Sequence, residues 1–199
     1  HAFVQPRTFM VGGKAAPGYY VAKLIIKFLN SVADLIQKDR FVRERIRLLF
    51  LENYRVSLAE KIIPAAELSE QISTAGMEAS GTGNMKFMLN GALTIGTYDG
   101  ANIEMNEQLG GNDIFIFGLR ENEVLDLRSK GYDPRTVIKA SPVLREIFTM
   151  LENDAFSPGQ PGLFDPLLDT LYRGDFFMAC ADFDAYLKTQ DAVSQIYRD

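Results

Sequence analysis

The chain has 199 residues, which is enough for one domain with a hydrophobic core of its own. Apolar residues make up 47% of the chain, and its formal net charge of −5 argues against a general nucleic-acid-binding surface. A single cysteine excludes an internal disulfide framework, and no apolar run approaches the roughly 20 residues that span a bilayer.

Strands and helices alternate in the predicted order of elements. Continuous apolar runs bounded by turn residues predict buried strands, and apolar residues at helical spacing predict helices. In chain order, we predict a strand at 8–11, a helix with Pro17 in its first turn and apolar spacing up to Leu35, a strand at 46–51, a short helix from Ser57 to near Pro64, a strand at 71–74, a helix at 84–90, strands at 93–96 and 113–117, and helices near 121–130, 134–140, 143–152, 163–172 and 182–198.

This alternation favours an α/β fold, a parallel sheet with helices on both faces. In such sheets, ligands bind where the carboxyl ends of the strands meet, so the loops Gly12–Gly18, Glu52–Ser57 and Ala75–Gly83 should gather there. No internal repeat or low-complexity segment interrupts the chain. We therefore expect residues 1–199 to form a single domain.

The stretch EASGTGNMK, residues 78–86, places small residues between Glu78 and Lys86. Glycines between a strand and a helix expose main-chain N–H groups, and the start of a helix favours an anion such as phosphate. Two named phosphate motifs are excluded: Thr82 stands where the nucleotide-phosphate loop requires a lysine, and the third glycine of the dinucleotide pattern is missing. A generic phosphate cradle at residues 81–84 remains.

Lys86 admits two interpretations from the residues alone. Most helix lysines are solvated surface charges. The apolar neighbours Met85, Phe87, Met88 and Leu89 instead predict a helix buried nearly all round, in which burial would lower the pKa of the lysine toward that of an amine able to form a Schiff base. Such a lysine near a phosphate-binding helix start suits pyridoxal phosphate.

The stretch EASGTGNMKFMLN, residues 78–90, resembles the pyridoxal-phosphate signature of the α-glucan phosphorylases, the family of glycogen, starch and maltodextrin phosphorylases. Three further stretches are similar to the same family, and the resemblance covers essentially the whole chain. They are PRTFMVGGKAAPGY at 6–19, FLENYRVSLAEKIIPAAELSEQIST at 50–74 and NGALTIGTYDGANIEM at 90–105.

The resemblance implies part of the C-terminal, cofactor-carrying and Rossmann-like domain of a two-domain enzyme of the glycosyltransferase-B type. It also implies the reaction: inorganic phosphate attacks the terminal glucose of an α-1,4-glucan and releases glucose 1-phosphate with retained configuration. The implied cofactor is pyridoxal 5′-phosphate on Lys86, whose phosphate exchanges a proton with the substrate phosphate. A homodimer in the cytoplasm is implied as well, with a plastid as the alternative.

The resemblance also assigns roles to single residues. Lys86 matches the lysine that holds the cofactor, and Glu78 matches the carboxylate that binds sugar hydroxyls. The remaining matches are Thr82 and Gly83 beside the cofactor, Thr82 being close to the substrate too, the cofactor-lining segment Tyr54, Arg55 and Val56, and the substrate-facing main chain of Ala79, Ser80 and Gly81.

Several family features do not occur in these 199 residues. The basic segment for the substrate phosphate and the sugar-binding histidine are missing, and His1 cannot replace the latter. The chain shows no signal-peptide pattern and ends in mid-pattern. We therefore expect a piece of a longer enzyme that is inactive alone. A sugar- or phosphate-binding module and a nucleotide-sugar glycosyltransferase stay open as alternatives.

Overall fold

The computed structural model describes residues 5–111 and 113–197. They form two compact units: unit 1 contains residues 5–56 and 145–170, and the other described residues form unit 2. The elements are β1 (Arg7–Gly12), α1 (Tyr20–Lys38), β2 (Ile46–Leu51), α2 (Val56–Ile62), a 3-10 turn (Ile63–Ala65), β3 (Leu68–Gln71), α3 (Gly83–Leu89), β4 (Leu93–Thr97), α4 (Ala101–Gln108), β5 (Phe115–Phe117), α5 (Glu121–Ser129), α6 (Pro134–Ala140), α7 (Pro142–Glu152), α8 (Asp165–Arg173) and α9 (Ala179–Ile196).

Unit 1 is built on a pair of parallel strands. β1 and β2 pair along their whole length, from Arg7 opposite Ile46 to Gly12 opposite Leu51. The amphipathic helix α1 packs against β2 and buries Leu24. Because both strands end at the same edge, the loops that follow them leave the sheet side by side. The gathering of the third loop, Ala75–Gly83, with these two stays a prediction.

Unit 2 is built on a three-stranded parallel sheet in the order β3-β4-β5. Gln71 lies opposite Gly96 and Thr97 lies opposite Phe117, so all three strands end at one edge. Helix α3 packs against β3 and β4, and α9 packs against β5. The core beside α9 consists of the buried side chains of Ile95, Phe117 and Val193.

The parallel strands and alternating helices confirm the α/β class. Among the described residues, however, the strands pair as two sheets and not as the one sheet that we expected. Local signals placed many boundaries well: Asp133 caps α6 by accepting the Arg135 N–H at 3.0 Å, and Pro134 occupies its first position. The predicted end of the last helix at residue 198 lies outside the described residues. The single-domain assignment stays a prediction.

The third strand was predicted in the wrong place. It occupies Leu68–Gln71 and not residues 71–74. This polar strand is stabilised from far along the chain, since the Glu70 carboxylate accepts hydrogen bonds from Tyr186 at 2.8 Å and from Gln190 at 2.7 Å. Residues 72–74 belong to the following loop, where the Thr74 hydroxyl donates to the Phe177 carbonyl at 2.6 Å.

Helix α4 was missed by the sequence analysis. Its residues, Ala101–Gln108, lack a clear apolar stripe. The helix begins after Gly100, which has a φ of 50° and a ψ of −141°, a combination that only glycine adopts readily. Its buried positions are Ala101 and the polar Asn102, so hydrophobic periodicity gives no signal here. Within residues 5–111 and 113–197, no helix is both long and apolar enough to cross a bilayer.

Candidate functional site

The candidate site lies at the carboxyl edge of the unit 2 sheet. Here the loop after β3, the start of α3 and the turn between β4 and α4 meet around a cavity of about 220 Å³. The cavity is polar, as expected of a site for hydroxyl-rich or charged ligands. Its lining includes Gln71, Ser73, Glu78, Ser80, Asn84 and Asn102.

Asp99 holds the loop that carries Glu78. One oxygen of its carboxylate accepts the Gly76 N–H at 2.8 Å, and the other accepts the Glu78 N–H at 3.0 Å and the Ser73 hydroxyl at 2.7 Å. Asp99 is only 4% exposed. Hydrogen bonds to a buried carboxylate are among the stronger ones in proteins, so this contact fixes the path of the loop.

The next two residues hold the same loop at a third point. The Ala101 N–H donates to the Ser80 carbonyl at 2.6 Å. Gly100 lies so close that a Cβ on it would come within 2.5 Å of that carbonyl oxygen. The turn therefore binds the loop through alternate residues, Gly76, Glu78 and Ser80, and its close approach requires glycine.

The loop presents its other polar groups outward. Glu78, Ala79 and Ser80 are exposed. Among the described residues, no hydrogen-bond acceptor serves the N–H groups of Ala79, Ser80 and Gly81, and no partner contacts the Glu78 carboxylate. Three consecutive N–H donors beside one carboxylate can bind a ligand that carries both acceptor oxygens and hydroxyl groups.

Helix α3 is anchored by a buried pair of amides. The Asn84 side chain donates to the Asn102 carbonyl oxygen at 2.9 Å, and the Asn102 amide donates to the Thr97 carbonyl at 3.0 Å. Both side chains are at most 3% exposed. The position of this seven-residue helix is therefore tied to the end of β4.

The expectation that α3 is buried nearly all round was wrong. Its only buried residue is Asn84, while Lys86 is exposed and Leu89 is 87% exposed. The helix packs one side against β3 and β4, and apolar residues also occupy its outer side. Within residues 5–111 and 113–197, the Lys86 ammonium has no hydrogen-bond or ion-pair partner.

The other predicted cofactor residues belong to unit 1. Tyr54 is half-buried, and its ring lies where a Cβ on Gly12 would meet it at 2.6 Å, which explains the glycine at the end of β1. Arg55 is exposed, and Val56 is 76% exposed. The predicted site residues in unit 2 are Glu78, Ala79, Ser80, Gly81, Thr82, Gly83 and Lys86; His1 lies outside the described residues.

Two residues of the site, Asp99 and Asn102, were not among the predicted site residues. The Asp99 carboxylate follows β4, and its contacts reach the loop after β3. The available signal was the Asp-Gly pair directly after a strand, since such strand ends gather at one edge of a parallel sheet. Which loop that carboxylate would contact is not encoded locally.

A second buried carboxylate in unit 2 lies at the start of α9. Asp175 is 1% exposed and accepts hydrogen bonds from the Tyr132 hydroxyl at 3.0 Å and from the N–H groups of Ala179 and Cys180, both at 2.8 Å. Burial, followed by the charge of Asp175, raises the pKa of Tyr132 and raises the pKa of the Cys180 thiol to about 12. Both groups stay neutral at physiological pH.

A further buried carboxylate is that of Asp182, which lies within α9. It accepts the Leu119 N–H at 2.8 Å and lies against Gly118, where a Cβ would meet its carboxylate at 2.8 Å. Burial raises the pKa of Asp182, and the hydrogen bond from Leu119 only partly opposes that rise. The side chain connects α9 to the end of β5.

Comparison with known proteins places these features in a family. The model of the carbohydrate phosphorylases matches residues 1–199. The chain is 57% identical over 192 residues to the liver form of glycogen phosphorylase from Homo sapiens, which covers 96% of the chain and 23% of the relative. It is 55% identical over 197 residues to the muscle form from Mus musculus, covering 99% of the chain and 23% of the relative.

Proposed function

Because the chain belongs to the carbohydrate phosphorylase family, we propose that it forms part of a longer α-1,4-glucan phosphorylase. In the proposed reaction, inorganic phosphate attacks the terminal glucose of the glucan. Glucose 1-phosphate leaves with retained configuration, and the glucan becomes one glucose shorter. The observation that carries the proposal is the loop at the carboxyl edge of unit 2, where the exposed Glu78 precedes three N–H groups without acceptors among the described residues.

Glu78 and the loop main chain would bind the terminal sugar. A carboxylate accepts hydrogen bonds from two neighbouring hydroxyls, and the small residues Ala79, Ser80 and Gly81 let a sugar approach the N–H groups. The cavity of about 220 Å³ is smaller than the roughly 300–1,000 Å³ of pockets for drug-sized ligands. Its size supports a single sugar ring beside Glu78.

The residues present fit pyridoxal 5′-phosphate. Lys86 offers an exposed amine with no partner among the described residues, and the first turn of α3 carries no acidic side chain. The Thr82 hydroxyl is exposed and makes no capping bond to the helix. Lys86 would hold the cofactor covalently, with Thr82 and the Gly83 main chain in contact with it.

The chain's own part in the reaction is binding and orientation. When bound, the cofactor supplies a phosphate group that exchanges a proton with the substrate phosphate. The N–H groups of Ala79, Ser80 and Gly81 would donate to acceptor oxygens of the ligand and stabilise negative charge there, because the loop is already held by Asp99. Glu78 would orient the sugar ring. The Thr82 hydroxyl would donate to an oxygen atom of the cofactor or of the substrate.

The wider organisation is part of the same proposal. We assign the chain to one cofactor-carrying domain of a glycosyltransferase-B-type enzyme, which acts as a homodimer on glucan, inorganic phosphate and glucose 1-phosphate. This polypeptide spans 23% of the length of its relatives. We expect no release of glucose 1-phosphate from glucan and phosphate by the 199-residue chain alone, and measurable turnover would refute that expectation.

Borohydride reduction followed by peptide mass mapping tests the cofactor assignment in the active, full-length protein. A pyridoxyl group should appear on Lys86 and disappear in Lys86→Arg, which keeps the charge but cannot form the bond. Lys130 serves as the internal control, because its ammonium pairs with Asp126 at 2.6 Å and should stay unmodified. An unmodified Lys86 in active, cofactor-loaded protein would refute the assignment.

The same experiment separates the alternatives. A sugar- or phosphate-binding module would keep the loop of residues 78–83 and would not need Lys86. A nucleotide-sugar glycosyltransferase would require a nucleotide donor and no pyridoxal. Glucose 1-phosphate release that depends on inorganic phosphate, together with the label on Lys86, would be consistent only with the phosphorylase.

A further inference from the structure

We propose that the turn after β4, residues 98–102, positions the two halves of the site through two separate contacts. Asp99 positions the loop of Glu78, and Asn102 positions the helix of Lys86. The inference rests on the proposed phosphorolysis and adds two positioning residues to it. Both side chains are buried at the lining of the cavity, and we assign the effect of each to the residue that it holds.

The contact on the sugar side runs through the Asp99 carboxylate. It accepts the N–H groups of Gly76 and Glu78 and the hydroxyl of Ser73, at 2.7 to 3.0 Å. The Glu78 main chain is therefore held directly, while its side chain stays exposed and without a partner among the described residues. A shift of this main chain would move the sugar-binding carboxylate and the N–H groups that follow it.

The contact on the cofactor side runs through the Asn102 amide. Its carbonyl oxygen accepts the Asn84 side chain at 2.9 Å, and its NH₂ donates to the Thr97 carbonyl at 3.0 Å and to the Gln71 carbonyl at 3.4 Å. Asn84 stands two residues before Lys86 on the same short helix. Asn102 therefore ties the lysine-bearing helix to the ends of β3 and β4.

The two contacts use different atoms and different partners. Among the described residues, the Asp99 carboxylate accepts hydrogen bonds only from the loop after β3. The Asn102 side chain binds the Asn84 side chain and the ends of β3 and β4. The two residues belong to one turn, in which Gly100 has a positive φ and the Asn102 N–H donates to the Asp99 carbonyl at 3.1 Å. Loss of one contact should therefore weaken one function of the site and leave the other largely intact.

Asp99→Asn keeps the shape of the side chain and removes its charge, so one N–H group of the loop must face an NH₂ group. In the full-length enzyme, we expect the KM for glucose 1-phosphate in the synthesis direction to rise roughly tenfold, as loss of one charge-assisted hydrogen bond would give. The pyridoxyl label on Lys86 should stay at the wild-type level. Glu107→Gln, an exposed carboxylate of α4, is the matched control and should change neither quantity.

Asn102→Ala removes the anchor of α3. We expect the cofactor to dissociate during dialysis roughly tenfold faster than from the wild type. The KM of the fraction that stays loaded should remain within about twofold of the wild-type value, because the loop contacts of Asp99 are intact. Asn106→Ala, one turn further along α4, is the control and should keep its cofactor.

A double variant distinguishes positioning from a general structural role. If Asp99 acts through Glu78, Asp99→Asn added to Glu78→Gln should raise KM by less than about twofold further. Additive effects would overturn the inference. Should Asp99→Asn fail to fold, Ser73→Ala replaces it, because it removes only the hydroxyl bond to Asp99 at 2.7 Å. A rise in KM smaller than the tenfold expected for Asp99→Asn supports the inference. An unchanged KM overturns it.

Two further outcomes are separable. If the wild-type enzyme is active and labelled on Lys86 but Asp99→Asn and Asn102→Ala change KM and cofactor release alike, the division of the turn is wrong and the phosphorylase proposal stands. If the wild-type enzyme releases no glucose 1-phosphate, or Lys86 stays unlabelled, the proposed function fails and the inference fails with it.

Discussion

Units 1 and 2 use the same parallel β–α plan and differ in how far their strands are buried. In unit 1, β1 and β2 have each other as their only strand neighbour among the described residues, and Met10, Val11 and Leu49 are 36–47% exposed. In unit 2, β4 has a neighbour on each side, and four of its five residues are buried. A parallel strand is normally covered on both faces, which β4 achieves and β2 does not.

This difference shows why the loop of Glu78 can be rigid while it is exposed. Thr97 at the end of β4 is 1% exposed, and the turn that follows it carries Asp99 and Asn102. The turn is therefore supported by the best-buried strand of the molecule's described part. A loop held by such a turn can present free N–H groups without rearranging when a ligand binds.

The largest expected effect tests the buried strand directly. Ile95→Ala removes a fully buried side chain from the cluster with Phe117 and Val193 and should lower the free energy of unfolding by about 2–5 kcal/mol. Leu49→Ala, at a 47% exposed position of β2, should cost less than about 1 kcal/mol. Urea denaturation of both variants checks the contrast, and equal losses would break it.

The next effect concerns the backbone of the turn. Gly100→Ala should lower the stability of the protein for two reasons. The backbone conformation at position 100 costs about 1–3 kcal/mol for residues other than glycine. The new Cβ would also lie only 2.5 Å from the Ser80 carbonyl oxygen. Gly13→Ala in unit 1 meets no atom within 4 Å and should stay within about 0.5 kcal/mol of the wild type. Thermal unfolding of the two variants measures the difference, and a tolerated alanine at position 100 would contradict the proposed role of the turn.

A smaller effect depends on pH. Because the pKa of Asp182 is raised in the folded state, its stabilising effect is complete below the unfolded value of 3.8 and is lost as pH rises through the folded pKa. Asp182→Asn cannot ionise and keeps an acceptor for the Leu119 N–H, so it should gain stability relative to the wild type as pH rises through that window. Urea midpoints at several pH values measure this gain. Asp191→Asn, an exposed position of α9, is the control; no pH dependence in the comparison would show that the burial of Asp182 is not retained in solution.

The smallest perturbation uses Cys180 as a reporter, with no substitution at all. Its thiol is 3% exposed and has a pKa raised to about 12 by burial, so it should react with a disulfide reagent far more slowly than a free thiol at pH 8. Reaction at the full rate should begin at the urea concentration that unfolds unit 2. Fast labelling of the native protein would mean that unit 2 opens readily and that its strands are no better protected than those of unit 1.

The sequence predicted the elements whose signals are local. The apolar run of β2 was placed correctly at residues 46–51, and α6 was placed correctly at residues 134–140. It failed where distant side chains supply the stability. The polar strand β3 depends on Tyr186 and Gln190, more than 100 residues away, and α4 follows from contacts of Asn102 that no periodicity reveals.

The α/β class and the small residues of EASGTGNMK, which leave main chain exposed between Glu78 and Lys86, can be read from the sequence alone. Which N–H groups of that loop are used internally and which stay available depends on the tertiary fold. The Gly76 and Glu78 N–H groups bind a carboxylate 23 and 21 residues further along the chain, and those of Ala79 to Gly81 find no acceptor among the described residues. Such pairings arise when separate strands end at one edge of a sheet, and no local pattern records them.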